Sequence, residues 1–295
     1  MLRARCLWGG MLAALLGLAL AGVDDHYSTD RAMRFLHFSN AAYCDVGSIN
    51  NWTCFPCLRA TNKDGWEVKT FTDQKTDGQV LVGAAQGGSG AGVSPGGDIV
   101  VSFRGTKDYL NFLADLKFFK TAAYPKCDGC KVHSGFYDDW TALQPQVVNE
   151  VMRLKGEQPR ANIFVTGHSL GASLAVLCAA ELHYGQGLLI NAVYTFGQPR
   201  VGNAHFRDFF NNGTHVSWRV THHRDPIPHL PTENMGFTHI NTEVWYNSSD
   251  DTALYRVCDG SGEDDTCSNS VYAVDPGDHL DYLGIPTASA SCTTP

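Results

Sequence analysis

The pentapeptide Gly167-His168-Ser169-Leu170-Gly171 stands where two unlike segments meet. Before it runs Ala161-Asn-Ile-Phe-Val-Thr-Gly167, short, apolar and β-branched, as a buried strand is. After it runs Ser169 to Tyr184, rich in alanine and leucine and apolar on nearly every face, as a buried helix is. A chain that passes from strand to helix within so few residues needs glycine on both sides of the turn, because a side chain there would clash between the two elements.

Other segments repeat the alternation. Asp98-Ile-Val-Val-Ser-Phe-Arg-Gly105 is an apolar run ended by glycine, the pattern of a strand buried on both faces. Trp140 to Lys155 carries Leu143, Val147, Val148, Val151 and Leu154 at helical spacing, and Asn191 to Gly197 and Val216 to Thr221 read as two further strands. Strands alternating with helices imply a mostly parallel central sheet covered by helices on both faces. With Gly-x-Ser-x-Gly at a strand-to-helix junction, the expected class is the α/β-hydrolase fold. The glycine-rich stretch from Gly83 to Gly97 reads as a flexible surface loop.

A serine hydroxyl is a weak nucleophile without a base, so Ser169 needs a histidine and an acid, in the chain order serine, acid, histidine for this fold. Asp225, in Thr221-His-His-Arg-Asp-Pro-Ile-Pro-His229, directly follows a strand and precedes a proline that stops its continuation. His279, in Asp275-Pro-Gly-Asp-His-Leu-Asp-Tyr282, lies on a late loop beyond the last strands. The oxyanion requires two aimed N–H donors, one from Leu170, the residue after the serine, and one from Thr106 in the loop after an earlier strand. Taken singly these residues also fit a helix cap, a turn aspartate, a surface histidine and an ordinary glycine turn. Their order favours the catalytic reading.

Residues 1–21 have the pattern of a secretory signal peptide: Arg3 and Arg5, an apolar run from Leu7, then Ala19-Leu20-Ala21 as cleavage site. Leu7 to Ala21 is 15 residues, short of the ~20 that span a bilayer. No later run is long enough, so no transmembrane anchor is expected. Residues 22–295 contain no Pro- or Ser-rich linker and are expected to form a single secreted, extracellular domain. The net charge of −8 becomes −10 without Arg3 and Arg5, which disfavours nucleic acid and anionic membrane as partners.

Of the ten cysteines, Cys6 leaves with the signal, and Cys178, inside the apolar helical run, is the candidate for a buried free thiol. The other eight group as Cys54 with Cys57, Cys127 with Cys130, Cys258 with Cys267, and Cys44 with Cys292. An oxidising compartment favours disulfides. Two Cys-x-x-Cys pairs are also a zinc pattern, but about 70 residues separate them, unlike the short spacings of zinc modules. The acidic stretch Asp259 to Asp265 reads as a solvated loop between Cys258 and Cys267 rather than a metal site; no metal and no cofactor is expected. Asn51, Asn212 and Asn247 each open an N-glycosylation pattern and are expected at the surface.

Five segments in order, Val101-Ser-Phe-Arg-Gly-Thr106, Gly167-His-Ser-Leu-Gly-Ala172, Thr195-Phe-Gly-Gln-Pro-Arg-Val-Gly-Asn203, Arg224-Asp-Pro-Ile-Pro-His-Leu-Pro231 and Asp278-His-Leu-Asp-Tyr282, resemble the successive motifs of the filamentous-fungal lipase family. That family includes triacylglycerol lipases and feruloyl esterases. The resemblance implies Ser169, Asp225 and His279 as the triad and Thr106 with Leu170 as the oxyanion hole. It also implies disulfides Cys44–Cys292 and Cys258–Cys267, and Cys127–Cys130 is similar to a bridge of the feruloyl esterases.

The segment after Thr106 corresponds to the family's lid. Tyr109, Phe112, Leu113 and Leu116 recur at helical spacing, with Leu110 beside them, opposite Lys107, Asp108, Asn111 and Asp115. Asn-Phe-Leu-Ala-Asp-Leu is similar to a lipase lid, with Phe112 where a lipase commonly has tryptophan. The expectation is a secreted carboxylic-ester hydrolase acting on acylglycerols at a lipid–water interface. A feruloyl or other polar-ester esterase, and a non-catalytic secreted binding protein on the same fold, are the alternatives.

Overall fold

The computed structural model describes residues 26–61, 65–88, 93–107, 118–213, 216–248 and 254–293. The proposed signal segment and the lid residues Tyr109, Leu110, Phe112, Leu113 and Leu116 lie outside the described residues. The chain opens with helices α1 (Thr29–Ala41), α2 (Val46–Asn50) and α3 (Phe55–Ala60), then strands β1 (Trp66–Asp73), β2 (Gly78–Ala85) and β3 (Asp98–Phe103). A small hairpin, β4 (Lys120–Ala122) and β5 (Lys131–His133), leads into helix α4 (Ser134–Glu157), strand β6 (Asn162–His168) and helix α5 (Leu170–Ala180). Strand β7 (Ala192–Phe196), helix α6 (Ala204–Asn211) and strands β8 (Ser217–His222), β9 (Glu243–Tyr246) and β10 (Tyr255–Val257) follow. A last hairpin pairs β11 (Asp281–Tyr282) with β12 (Ile285–Pro286).

The main sheet has the order β1-β2-β3-β6-β7-β8-β9-β10. Its five inner strands, β3 and β6 to β9, are parallel, while β2 joins β3 and β10 joins β9 antiparallel. Every residue of β3 and β7 is buried, because helices cover both faces. Helices α4 and α5 lie over one face, with Phe136, Trp140, Leu143, Val147, Val151 and Leu154 forming the inward stripe of α4. Helix α1 covers the other, where Phe35 stacks on Tyr194 at 4.6 Å and Ser39 bonds Thr166 at 2.8 Å. This is the expected α/β-hydrolase architecture.

Several boundaries differ from the sequence reading. Helix α4 begins at Ser134, well before Trp140, because His133 caps it by accepting from the Phe136 amide at 3.3 Å. Ser169 lies outside helix α5, which starts at Leu170 and continues after Ala180 as one π-helical turn over Glu181–Gly185. The first three residues of the stretch read as a loop are instead the buried end of β2, where Gly83, Ala84 and Ala85 pair with Val100, Ile99 and Asp98.

Four disulfides join Cys44 to Cys292, Cys54 to Cys57, Cys127 to Cys130 and Cys258 to Cys267. Cys178 is free and buried, and burial pushes its thiol pKa well up. No helix among the described residues is long and apolar enough to cross a membrane. Asn51, Asn212 and Asn247 are all exposed.

Candidate active site

The parallel register brings the site together. Phe103 of β3 pairs with Gly167 of β6, and His168 pairs with Phe196 of β7, so the chain leaves all three strands at one edge of the sheet. The turn at Ser169 is tight enough that a Cβ on Gly167 would overlap the Gly171 carbonyl, and one on Gly171 would overlap the Phe103 carbonyl. Ser169 itself takes φ 60° and ψ −131°, a strained backbone for a residue with a side chain. Two hydrogen bonds of 2.9 Å hold it there, from its amide to Phe196 and from the Ala172 amide to its carbonyl.

Asp225 lies just past the end of β8, and His279 lies on a 3-10 turn, Pro276–Leu280, that precedes the last hairpin. The His279 ring bridges the two: Nδ1 is 2.8 Å from Asp225 Oδ2 and Nε2 is 2.9 Å from Ser169 Oγ. A carboxylate only accepts, so Nδ1 carries the proton and Nε2 is left to accept from the serine hydroxyl. All three residues are buried. Burial alone would raise the Asp225 carboxyl, but His279, the Tyr282 hydroxyl and the Ile227 amide together hold it below its ordinary value. Asp225 therefore stays ionised.

The loops that carry Asp225 and His279 are clasped together by groups with no other visible task. Asp278 Oδ2 accepts from the Arg224 amide at 3.1 Å and from His223 Nδ1 at 3.0 Å, and His222 Nδ1 faces the Asp278 carbonyl at 3.0 Å. His222 and His223, the nearest rivals to His279 as base, are thus occupied in fixing the loop.

Thr106 and Ser169 line one cavity of about 310 Å³ with Tyr43, His168, His279 and Leu280, and residues Thr287 to Ala290 close its far wall. Leu170 opens helix α5, so its amide belongs to the first turn, where N–H groups have no intrahelical acceptor. Thr106 thus shares a cavity with Ser169, and Leu170 follows Ser169 directly in the chain. A larger cavity of about 380 Å³, walled by Met33, His37, Phe55, Arg59 and Ile285, contains none of these groups. Chemistry rather than volume distinguishes the site.

The acidic stretch from Asp259 is not simply solvated. Glu263 pairs bidentately with buried Arg200 at 2.8 and 2.7 Å, and Asp264 bonds the amides of Asp259 and Thr266. The buried group Glu243, Cys258 and Cys267 has metal-like spacing. Its two sulfurs are bonded to each other, and Arg219 and Thr221 occupy its carboxylate.

Sequence reasoning overlooked Tyr43, His168, Gly197, Tyr282 and Thr287 as parts of the site. Gly197, at φ 56°, leaves room for the pair beside it, since a Cβ there would stand 2.9 Å from both Asp225 Oδ2 and the His279 ring. His168 and Tyr282 stand inside motifs already singled out, so a signal existed for them; Tyr43 offered none.

The lipase class 3 family model matches residues 100–235. A lipase from Rhizomucor miehei is 34% identical over 240 residues, covering 80% of this chain and 63% of that protein. Secreted mono- and diacylglycerol lipase 1 from Fusarium solani is 33% identical over 225 residues, covering 72% of this chain and 66% of that protein. The solved structure of the Rhizomucor miehei triacylglyceride lipase superposes with a TM-score of 0.78 at 32% identity, covering 90% of this chain and 96% of that one. The chain thus spans just under two thirds of the length of these curated relatives. Fold and site together define an α/β-hydrolase with a serine-centred pocket. The chain belongs to the class 3 lipase family.

Proposed function

We propose that this protein is a secreted carboxylic-ester hydrolase acting on acylglycerols, with Ser169 as nucleophile, His279 as general base and Asp225 as the carboxylate that orients it. One observation carries the reading: a continuous hydrogen-bonded line from Ser169 Oγ through His279 to an ionised Asp225. As the hydroxyl attacks the ester carbonyl, its proton passes to His279 Nε2 and a tetrahedral oxyanion forms against the Thr106 and Leu170 donors. His279 then protonates the departing alcohol, leaving an acyl group on Ser169. Water, deprotonated by the same imidazole, attacks that acyl group, and the carboxylic acid leaves as the serine regains its proton.

Secretion is supported by four disulfides, which persist in oxidising compartments, and by a relative described as secreted. Exposure of Asn51, Asn212 and Asn247 supports glycan attachment there. The lipid–water interface rests on the apolar spacing of Tyr109, Leu110, Phe112, Leu113 and Leu116.

The test is a fluorophosphonate label followed by a substrate panel. Stoichiometric labelling of Ser169, with a long-chain triacylglycerol emulsion hydrolysed faster than methyl hydroxycinnamate, is the expected result. The reverse preference would assign a feruloyl-type esterase. Absence of labelling would reject the nucleophile and leave a non-catalytic binding protein.

A further inference from the structure

The histidine before the serine makes contacts that the hydrolytic steps do not use. His168 is 1% exposed, and its ring stacks on that of His279 with centroids 4.6 Å apart. Its Nδ1 lies 2.9 Å from the Tyr43 hydroxyl and its Nε2 lies 2.9 Å from the main-chain carbonyl of His279. Burial pushes the phenol of Tyr43 well above its ordinary value, so at neutral pH it is a hydroxyl with one proton to give. Burial, then the neighbouring His279, pushes His168 down to about 3, so its ring is neutral. A carbonyl can only accept, so Nε2 bears the ring proton and Nδ1 accepts from Tyr43. Thr287 Oγ1 also donates to the His279 carbonyl, at 3.2 Å. The same phenol oxygen faces the Gly105 amide, where the loop to Thr106 begins.

We infer that His168 is a positioning residue for the base: its Nε2–H anchors the backbone of His279 while its ring backs the His279 imidazole, and Tyr43 selects the tautomer that can do so. Asp225 fixes the direction of the His279 ring, and His168 fixes where the residue stands. A single neutral line then ties three separate loops together: Gly105 to Tyr43, Tyr43 to His168, and His168 to His279. Neutrality matters, because a second cation stacked on His279 would oppose the imidazolium that forms during turnover.

This inference rests on the proposed roles of Ser169 and His279, and the experiment keeps the two apart. Wild-type protein is first labelled with a fluorophosphonate; failure there rejects the hydrolase reading, not this one. With labelling established, His168→Phe and His168→Gln are compared on a soluble short-chain ester. Phenylalanine keeps the packing and removes both hydrogen bonds, whereas the glutamine amide can still donate where Nε2 does. Expected is a fall in kcat of ~10- to 100-fold for H168F with KM nearly unchanged, because a base displaced by a fraction of an ångström loses catalysis rather than binding. H168Q should recover most of that loss. Where H168F fails to fold, Tyr43→Phe serves instead: it should lower kcat severalfold in the wild-type background and much less in the H168Q background, since an amide needs no tautomer selection. Equal kcat for folded H168F and H168Q, or fully additive effects of Y43F and H168Q, would overturn the inference.

Discussion

Tyr282 donates its hydroxyl to Asp225 Oδ2 at 2.5 Å, the same oxygen that accepts from His279 Nδ1 at 2.8 Å. The phenol supplies a hydrogen bond to a buried carboxylate and helps keep it ionised. Tyr282→Phe should leave the fold in place and lower kcat by about tenfold, the worth of one hydrogen bond to a buried charge. Steady-state kinetics on a soluble ester, beside a thermal melt, would show this; an unchanged kcat would mean that Tyr282 only packs.

Replacing Ser169 with alanine should abolish turnover, by at least ~10⁴-fold, while leaving the denaturation midpoint near that of the wild type. His279→Ala should cost about as much, because the members of such a triad act as a unit, and Asp225→Asn should cost less. If His222 or His223 proved essential and His279 dispensable, the choice of base would be wrong.

Cys44 and Cys292 are 248 residues apart in sequence. Closing a loop of that length stabilises the fold by roughly 5 kcal/mol in the chain-entropy model. The bond also anchors the segment whose residues Thr287 to Ala290 wall the Ser169 cavity. Cys44→Ser with Cys292→Ser should lower the melting temperature markedly and weaken activity even where the protein is still folded. Peptide mapping without reductant that found these cysteines free or paired elsewhere would refute the premise.

Buried and half-buried neutral histidines weaken the fold in acid. Burial pushes His168 to about 3 and His37 to about 4, and lowers His239 well below its ordinary value. The unfolded chain takes up those protons near pH ~6.5. Their folded values lie lower, so the stability they allow is whole above about pH 6.5 and declines as the pH falls from there. A second decline follows in stronger acid, because the folded values of Asp225 and Glu263 are depressed. What those carboxylates contribute is present above pH ~4 and lost as the pH falls through their lowered values. Urea titrations at a series of pH values should show the first slope reduced in H168Q and the second in Glu263→Gln.

The spacing of Tyr109, Phe112, Leu113 and Leu116 predicts interfacial behaviour. Exposing four such side chains to water costs as much as ~6–12 kcal/mol before other contacts offset part of it, a penalty that lipid removes. Activity should therefore rise steeply once substrate exceeds its solubility, and Phe112→Ser with Leu113→Ser should weaken that rise more than it lowers turnover of soluble esters. Kinetics smooth through the solubility limit would reject the proposal.

Four of the five inner strands, β3 and β6 to β8, were legible because burial leaves a nearly continuous apolar run, whereas the short β9 was not read, and Gly167 and Gly171 were legible because their neighbours leave no room for a Cβ. Strand β1 was missed although Trp66 to Thr70 alternates in exposure, as a strand with one solvated face does. Gly83 misled, since a glycine cluster resembles a loop even where the first of it is paired in a sheet. Asp225 and His279 could be chosen by order along the chain. Tyr43 could not, because its meaning arises only when folding brings it against a ring 125 residues away.

Cys178 sits in the last turn of α5, inaccessible and with its thiol suppressed, and it is the one cysteine outside a disulfide among the described residues. A thiol reagent can reach it only when the helix leaves the sheet. The rate at which native protein takes up such a reagent is therefore a clock for the opening of the core, readable without any engineered label. Ligands that close the Ser169 cavity should slow that clock only if closing the cavity also tightens the helix beneath it.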